Sequence, residues 1–265
     1  MIIYKPVGGS HSGDTFRELL DMWVEDGYCT TEPSPDNYVW VDEPGSILLY
    51  DYPRLDDRPI PQFKFGLFGN TVPDIENCFP WIFWGRRPRM LENEILSGIL
   101  SYDEREVESV FLGKIENQTQ YNNRTTHDWS SVIENFSMPV VVGNTSFYPY
   151  TQEEYLKEIK KSKFGLTLPG YGPKCNREIE YLGLGVVPIL IGGCDVTYHN
   201  SMEEDIHYIK VEDPLDLKER ISAIEKNEWE FLSNNGRMWY NQNCSRKGSF
   251  SVTEKILENI KCEIK

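Results

Sequence analysis

The run KFGLTLPGYGPKCNREIEYLGLGVVPIL, from Lys163 to Leu190, carries residue types that bind phosphate in an order that presents them together. A strand-like apolar segment ends in Gly170-Tyr171-Gly172, and the two glycines let the backbone approach a ligand closely. A helix is expected to open between Pro173 and Asn176. Its amide groups and positive dipole end then face the same place, which favours an anion. Arg177 and Glu180 lie three residues apart and share a face of that helix, offering a cation for a phosphate and a carboxylate for a ribose diol. The same residues would equally serve as a turn and a surface ion pair. Gly170 and Gly172 also begin a GxGxxG pattern, with Asp195 after a later strand, but Cys175 holds the third glycine position and the pattern falls past mid-chain. An NAD site, and with it a dehydrogenase, is the poorer fit.

A second group of cations follows the strand in SVFLGKIENQTQYNNRTTHDW, which runs into Gly113 and Lys114, with Arg124 further on near an expected helix start. If this strand neighbours the one ending at Gly170, Lys114 and Arg124 reach the same crevice and neutralise a diphosphate. For any single Lys or Arg, a solvated surface position is the commoner case.

Such loops need strands and helices to hold them. In the second half, MPVVVGN reads as a strand, TQEEYLKEIKKSK as a helix, FGLTLPG as a strand, NREIEYLGLG as a helix, and VVPILIGG and IHYIKV as strands. PLDLKERISAIEKNEWEFLSNNGRMWYNQ then has one long helical spacing, which makes Trp229 and Trp239 core residues. The first half offers IIYKPV, the helix TFRELLDMWVEDG, FKFGLFG, and a helix-like ILSGILSYDEREVE. Between Glu32 and Pro61 it has only short extended pieces joined by turns. Alternating strands and helices imply a parallel sheet with right-handed crossovers. Ligands of such sheets bind beyond the carboxyl ends of the strands, where the Gly170 loop is placed.

Composition narrows the partners. With 39% hydrophobic residues in 265, the chain can bury a core, and no apolar run approaches the roughly 20 residues of a membrane span. The start, broken by Lys5, Pro6 and glycines, is not expected to be a signal peptide. A net charge of -15 repels a phosphate backbone, which argues against nucleic acid. The six cysteines show no CxxC spacing, so no zinc site or redox pair is expected and a reducing compartment is.

The run from Ser162 to Leu190 resembles the carboxyl-terminal signature of the exostosin-like glycosyltransferases. The match falls on Ser162, Lys163, Phe164, Pro169, Gly170, Gly172, Arg177, Glu180, Gly185 and Pro188. FLGK and Arg124 upstream resemble that family's strand, glycine-containing loop and phosphate-facing arginine, so the resemblance covers about residues 110–257. It implies an α/β fold of GT-B type, with two Rossmann-like domains facing a central cleft and the amino-terminal one abbreviated. An acceptor-side domain is then expected over residues 1–105 and a nucleotide-sugar donor domain over 106–265, the last helix packing back on the first. The implied activity is transfer of a sugar from a nucleotide-sugar donor to a glycan acceptor, inverting and without a bound metal or other cofactor; the sequence has no Asp-x-Asp. UDP is the expected nucleotide and UDP-xylose the first donor to consider. The chain resembles the short, unanchored versions found in bacteria and in large DNA viruses of algae, which implies a cytoplasmic location, in the host if viral.

On this resemblance Lys114, Arg124, Gly170, Tyr171, Gly172, Arg177 and Glu180 bind the donor. An inverting transfer also needs a base from the amino-terminal domain. Candidates are Asp14 or His11 in GGSHSGD and Asp74 in FGNTVPD, although Asp14 and Asp74 suit helix caps and His11 an ordinary loop. In FPWIFWGRRPRM, Trp81 and Trp84 could stack on the flat C–H faces of an acceptor sugar, with Arg86 beside them; burial in a core is the alternative. A non-catalytic nucleotide- or carbohydrate-binding protein that keeps the clamp without the base stays open.

Overall fold

The strands of the second half carry apolar residues on both faces, as a parallel sheet covered on each side requires. The computed structural model describes residues 3–4, 14–30, 38–39, 47–50, 65–74, 76–141, 147–170 and 172–263. The chain divides into two compact units: Met1–Arg89 with Thr197–Ser201 and Asn241–Lys265, and Met90–Val196 with Met202–Tyr240. The division falls after Arg89 rather than at residue 105, and the last helix belongs to the first unit.

In the first unit the strands are short. Strand β1 (Ile3–Tyr4) is followed by helix α1 (Asp14–Glu25), β2 (Cys29–Thr30), β3 (Tyr38–Val39), β4 (Ile47–Tyr50), β5 (Phe65–Phe68) and β6 (Cys78–Pro80). They pair in parallel as two three-stranded sheets, β2-β1-β3 and β4-β5-β6. Helix α1 forms because Phe16, Leu19, Leu20 and Trp23 recur at helical spacing, and all four are buried. The last helix, Arg246–Glu263, meets this face: Trp23 Nε1 donates to the Arg246 carbonyl at 2.8 Å and Trp81 Nε1 to Thr253 Oγ1 at 2.9 Å.

The second unit holds the sheet that matters for function. Helix α2 (Pro88–Leu96) replaces the helix expected from Ile95 to Glu108. Pro88 suits a first helical position, and Gly98, at φ +112°, ends the segment in a conformation only glycine adopts readily. Then come β7 (Val107–Leu112), α3 (Gln118–Arg124), β8 (Asn135–Ser137), α4 (Gln152–Lys160), β9 (Ser162–Thr167), α5 (Asn176–Leu184), β10 (Val187–Ile191), β11 (Ile209–Val211), α6 (Leu217–Ser222) and α7 (Lys226–Asn243).

All five of these strands run parallel, in the order β11-β10-β9-β7-β8. This is a doubly wound, Rossmann-like arrangement in which the chain steps outward from β7 to β8 and then returns past β7 to β9. On one face Phe111, Phe164, Leu166 and Ile189 pack with Trp129, Leu217 and Trp229. On the other, Tyr181 of α5 lies against Gly165, where a Cβ would come within 2.4 Å of its ring.

Two further expectations change. The strand expected from Met138 to Asn144 is paired instead at Asn135–Ser137, where Phe136 stacks on Phe111 at 5.6 Å. Pro139 has no N–H to extend the ladder, so beyond it only Val140 bridges to Ile115. Residues 142–144 lie outside the described residues. The long helix expected from Pro214 breaks between α6 and α7, where Ile224 enters the core. Among the described residues, no helix is long and apolar enough to cross a membrane.

Candidate functional site

The return from β8 past β7 to β9 makes the carboxyl ends of β7 and β9 the switch point of the sheet, where loops diverge and leave a crevice. β7 ends in Leu112-Gly113 and β9 leads into Leu168-Pro169-Gly170, and two arginines meet there. Arg124 is the last residue of α3, not near its start, because Asn117 caps that helix by accepting from the Gln120 N–H at 2.9 Å. It is 5% exposed and bridges the two loops, donating from Nη1 to the Lys114 carbonyl at 2.6 Å and from Nε to the Pro169 carbonyl at 3.1 Å. Arg177, in the first turn of α5, lies over the Phe111 ring at 4.3 Å and donates from Nη2 to the Leu112 carbonyl at 3.1 Å. Its Nε and Nη1 are covered from solvent and have no partner among the described residues.

The glycines are required by these contacts. A Cβ on Gly113 would sit 2.6 Å from the Phe111 ring and 3.0 Å from Arg177 Nη2, and one on Gly170 would sit 2.9 Å from Cys175 Sγ and 3.0 Å from Arg124 Nη2. Burial, and then the Arg177 charge, lower the Arg124 guanidinium to about 10, so it stays cationic at neutral pH. Burial works against the Arg177 charge too, but the guanidinium is shifted upward overall and stays cationic. Burial, and then Glu178, push the Cys175 thiol up to about 11, which leaves it protonated and unsuited to nucleophilic attack.

Next to the arginines is a pocket of about 350 Å³, walled by α3, by Leu168, Pro169, Gly172 and Pro173, and by the turn at Gly192-Gly193 after β10. The last two walls are tied together. The Asp195 N–H donates to the Pro173 carbonyl at 3.1 Å, and Lys174, whose side chain is fully covered, faces the Asp195 carboxylate at 3.6 Å. Burial lowers the Lys174 ammonium and Asp195 opposes that. Among the described residues no group of three or more His, Cys, Asp or Glu side chains is placed to hold a metal ion.

The expected site residues fare differently. Gly170, Gly172, Arg124 and Arg177 come together as the spacing suggested, with Gly172 on the pocket wall. Lys114 joins them through its carbonyl, while its ammonium pairs with Glu116 at 2.5 Å. Glu180 is 3% exposed and accepts from Gln152 Nε2 at 3.2 Å, so it is packed against α4 rather than presented to the pocket. Tyr171 and His11 lie outside the described residues. Asp14 begins α1, as the helix-start reading required, and its side chain is outside the described set. Asp74 is exposed in the bend after β5.

Trp81 and Trp84 are 0% and 1% exposed and pack on Phe16 at 4.8 Å each. Indoles buried in a core cannot stack on a sugar, which overturns the acceptor platform; Arg86 beside them is exposed. Trp229 and Trp239 are buried as expected.

Sequence reasoning missed Asn122, Asn123, Trp129, Lys174, Gly192 and Gly193. Gly192-Gly193 carried a usable signal, a glycine pair directly after a strand. Asn122 and Asn123 did not, because their place at the pocket depends on where α3 ends. No protein-family model matches the chain, and no curated protein matches it.

Proposed function

We propose that the protein is a glycosyltransferase taking a nucleotide-sugar donor, with a UDP-sugar as the class and UDP-xylose the first to test. The observation that supports this reading most is Arg177, a guanidinium with two covered nitrogens lacking acceptors and, among the described residues, no carboxylate in ion-pair contact. An unpaired buried charge is expensive by several kcal/mol, and a diphosphate supplies the missing acceptors.

The chemistry follows from where charge develops. Breaking the bond between the anomeric carbon and the diphosphate leaves the electron pair and negative charge on the leaving oxygen. Arg177 and Arg124 stabilise that charge together with the amide groups at the start of α5. The acceptor hydroxyl forms the new bond to the anomeric carbon and gives its proton to a base. Candidates for the base remain Asp14, Asp74 and His11, with an inverting outcome expected of a single displacement.

The test is a thermal-shift panel of UDP, UDP-xylose, UDP-glucose, GDP, GDP-mannose and NAD. A ligand at 100 times its Kd adds about 2.7 kcal/mol of stability. Selective stabilisation by UDP compounds, followed by release of UDP from a UDP-sugar on addition of an acceptor glycan, is expected. Stabilisation by NAD alone, or by none of the panel, overturns the reading.

A further inference from the structure

We infer that the pocket between α3 and the Gly192-Gly193 turn seats the uncharged ring of the donor nucleotide, a uracil-type heterocycle with adjacent C=O and N–H groups. The inference rests on the nucleotide-sugar reading and assigns part of that ligand to a named set of residues. None of the side chains lining the pocket is ionisable. No side chain of the pocket can therefore pair with a phosphate charge, and the neutral end of a nucleotide is the part that suits it. Its volume of about 350 Å³ lies in the range of small-molecule sites.

The walls offer both an apolar surface and directed hydrogen-bonding groups. Leu168, Ile191 and Trp129 line the pocket with apolar groups held rigidly by the core behind them. Asn122 accepts from Gln118 Nε2 at 2.8 Å, which fixes its carbonyl and leaves its amide N–H groups to donate. Asn123 donates from Nδ2 to the Gly170 carbonyl at 3.3 Å, and its Oδ1 has no partner among the described residues. Neighbouring residues of one helix thus supply a donor and an acceptor, the complement of a ring edge that carries C=O beside N–H.

The pocket and the arginines also share a wall. Gly170 accepts from Asn123 on one side and lies against Arg124 on the other, and Pro169 both lines the pocket and accepts from Arg124 Nε. A nucleotide whose ring fills the pocket has its phosphates one loop away from the cations.

Gly192 gives a clean test. Gly192 lines the pocket, a Cβ there meets nothing within 4 Å and its φ is not left-handed, so Gly192→Leu adds bulk at the pocket wall without a close contact at Cβ. Calorimetry on the full chain would measure UDP, uridine, ADP and inorganic pyrophosphate. For Gly192→Leu we expect Kd for UDP and uridine to rise about tenfold or more, the scale of losing one stacked base, while pyrophosphate binding is unchanged. Asn123→Ala, a smaller perturbation of the wall, should weaken uridine in the same direction.

A Gly192→Leu protein with wild-type melting temperature that binds UDP as tightly as wild type overturns the ring seat and leaves the nucleotide reading standing. ADP binding wild type as tightly as UDP overturns the uracil assignment. Wild-type protein that binds neither UDP nor pyrophosphate overturns the seat together with the reading it rests on.

Discussion

The two ends of the five-stranded sheet each bury an arginine, and the two side chains are treated in opposite ways. At the amino end Arg105 is 4% exposed and donates four hydrogen bonds: to the carbonyls of Lys160 and Ser162 at 2.9 and 2.7 Å, and to those of Leu100 and Leu184 at 3.1 and 2.9 Å. It thereby collects carbonyl groups where α4 and α5 end, the negative ends of both helices. Burial lowers its guanidinium to about 9, and it also lies over the Trp229 ring at 4.9 Å. At the carboxyl end Arg177 donates one such bond and, among the described residues, keeps two covered nitrogens without acceptors. Both ends therefore contain a buried cation; Arg105 has every guanidinium nitrogen but Nε bonded to a carbonyl, whereas Arg177 has both Nε and Nη1 covered and without an acceptor among the described residues. An arginine that closes a ring of carbonyls is a structural part; one with donors in excess is poised for an anion.

The largest expected effect tests the amino end. Arg105→Met would strand four carbonyls in a buried region and should lower the unfolding free energy by about 3–5 kcal/mol in urea titrations. Arg177→Met should do the reverse in kind. Removing an unpaired buried charge leaves stability unchanged or raises it by about 1 kcal/mol, while UDP affinity falls about 100-fold, or about 2.7 kcal/mol. Equal destabilisation by both variants would erase the contrast.

A pair of glycines sharpens the comparison at smaller scale. Gly185, at φ +70°, is the left-handed cap of α5 at the amino end, and Gly113 sits at the carboxyl end against Phe111 and Arg177. Alanine at Gly185 should lower stability by about 1 kcal/mol through backbone strain and leave UDP binding alone. Alanine at Gly113 must displace the Phe111 ring or Arg177, so about 1–3 kcal/mol of stability should be lost together with UDP affinity. Affinity surviving in Gly113→Ala would show that Arg177 is not held for the ligand.

What could be read from sequence was what is encoded locally. Glycines after a strand, the helix from Asn176 and the alternation behind them located the carboxyl edge and brought Gly170, Gly172, Arg124 and Arg177 to one place. The fate of each side chain was not local. Arg124 finds Pro169 forty-five residues away, and Glu180 is claimed by Gln152 twenty-eight residues upstream. Trp81 and Trp84 carry the same signal whether they face a sugar or a core, and only the packing of Phe16 decided it. The first unit was the least legible, because strands of two to four residues are too short to show a period.

The smallest effect concerns the N-terminus of α4, which lies at the carboxyl end of the sheet because α4 leads directly into the start of β9. Thr151 and Glu154 form a reciprocal cap there: the Thr151 N–H and hydroxyl each donate to Glu154 Oε2 at 2.8 Å, and the Glu154 N–H donates to Thr151 Oγ1 at 3.2 Å. The bond from the Thr151 N–H, and then its hydroxyl, hold the Glu154 carboxyl below its ordinary value of 4.5. A carboxylate depressed in the folded state contributes stability that is present above its unfolded pKa and is lost as pH falls through the folded one. Glu154→Gln keeps an acceptor but removes the charge that favours a helix N-terminus. Its urea midpoint should therefore fall slightly below wild type at pH 7, with the gap closing at acid pH below the ordinary carboxylate range. Because Tyr155 of the same helix packs near Arg177, UDP affinity should follow the same pH trend only if the cap also holds the arginine in place. A stability gap that closes while affinity stays level would confine the cap to the fold and leave Arg177 positioned by Phe111 and Leu112 alone.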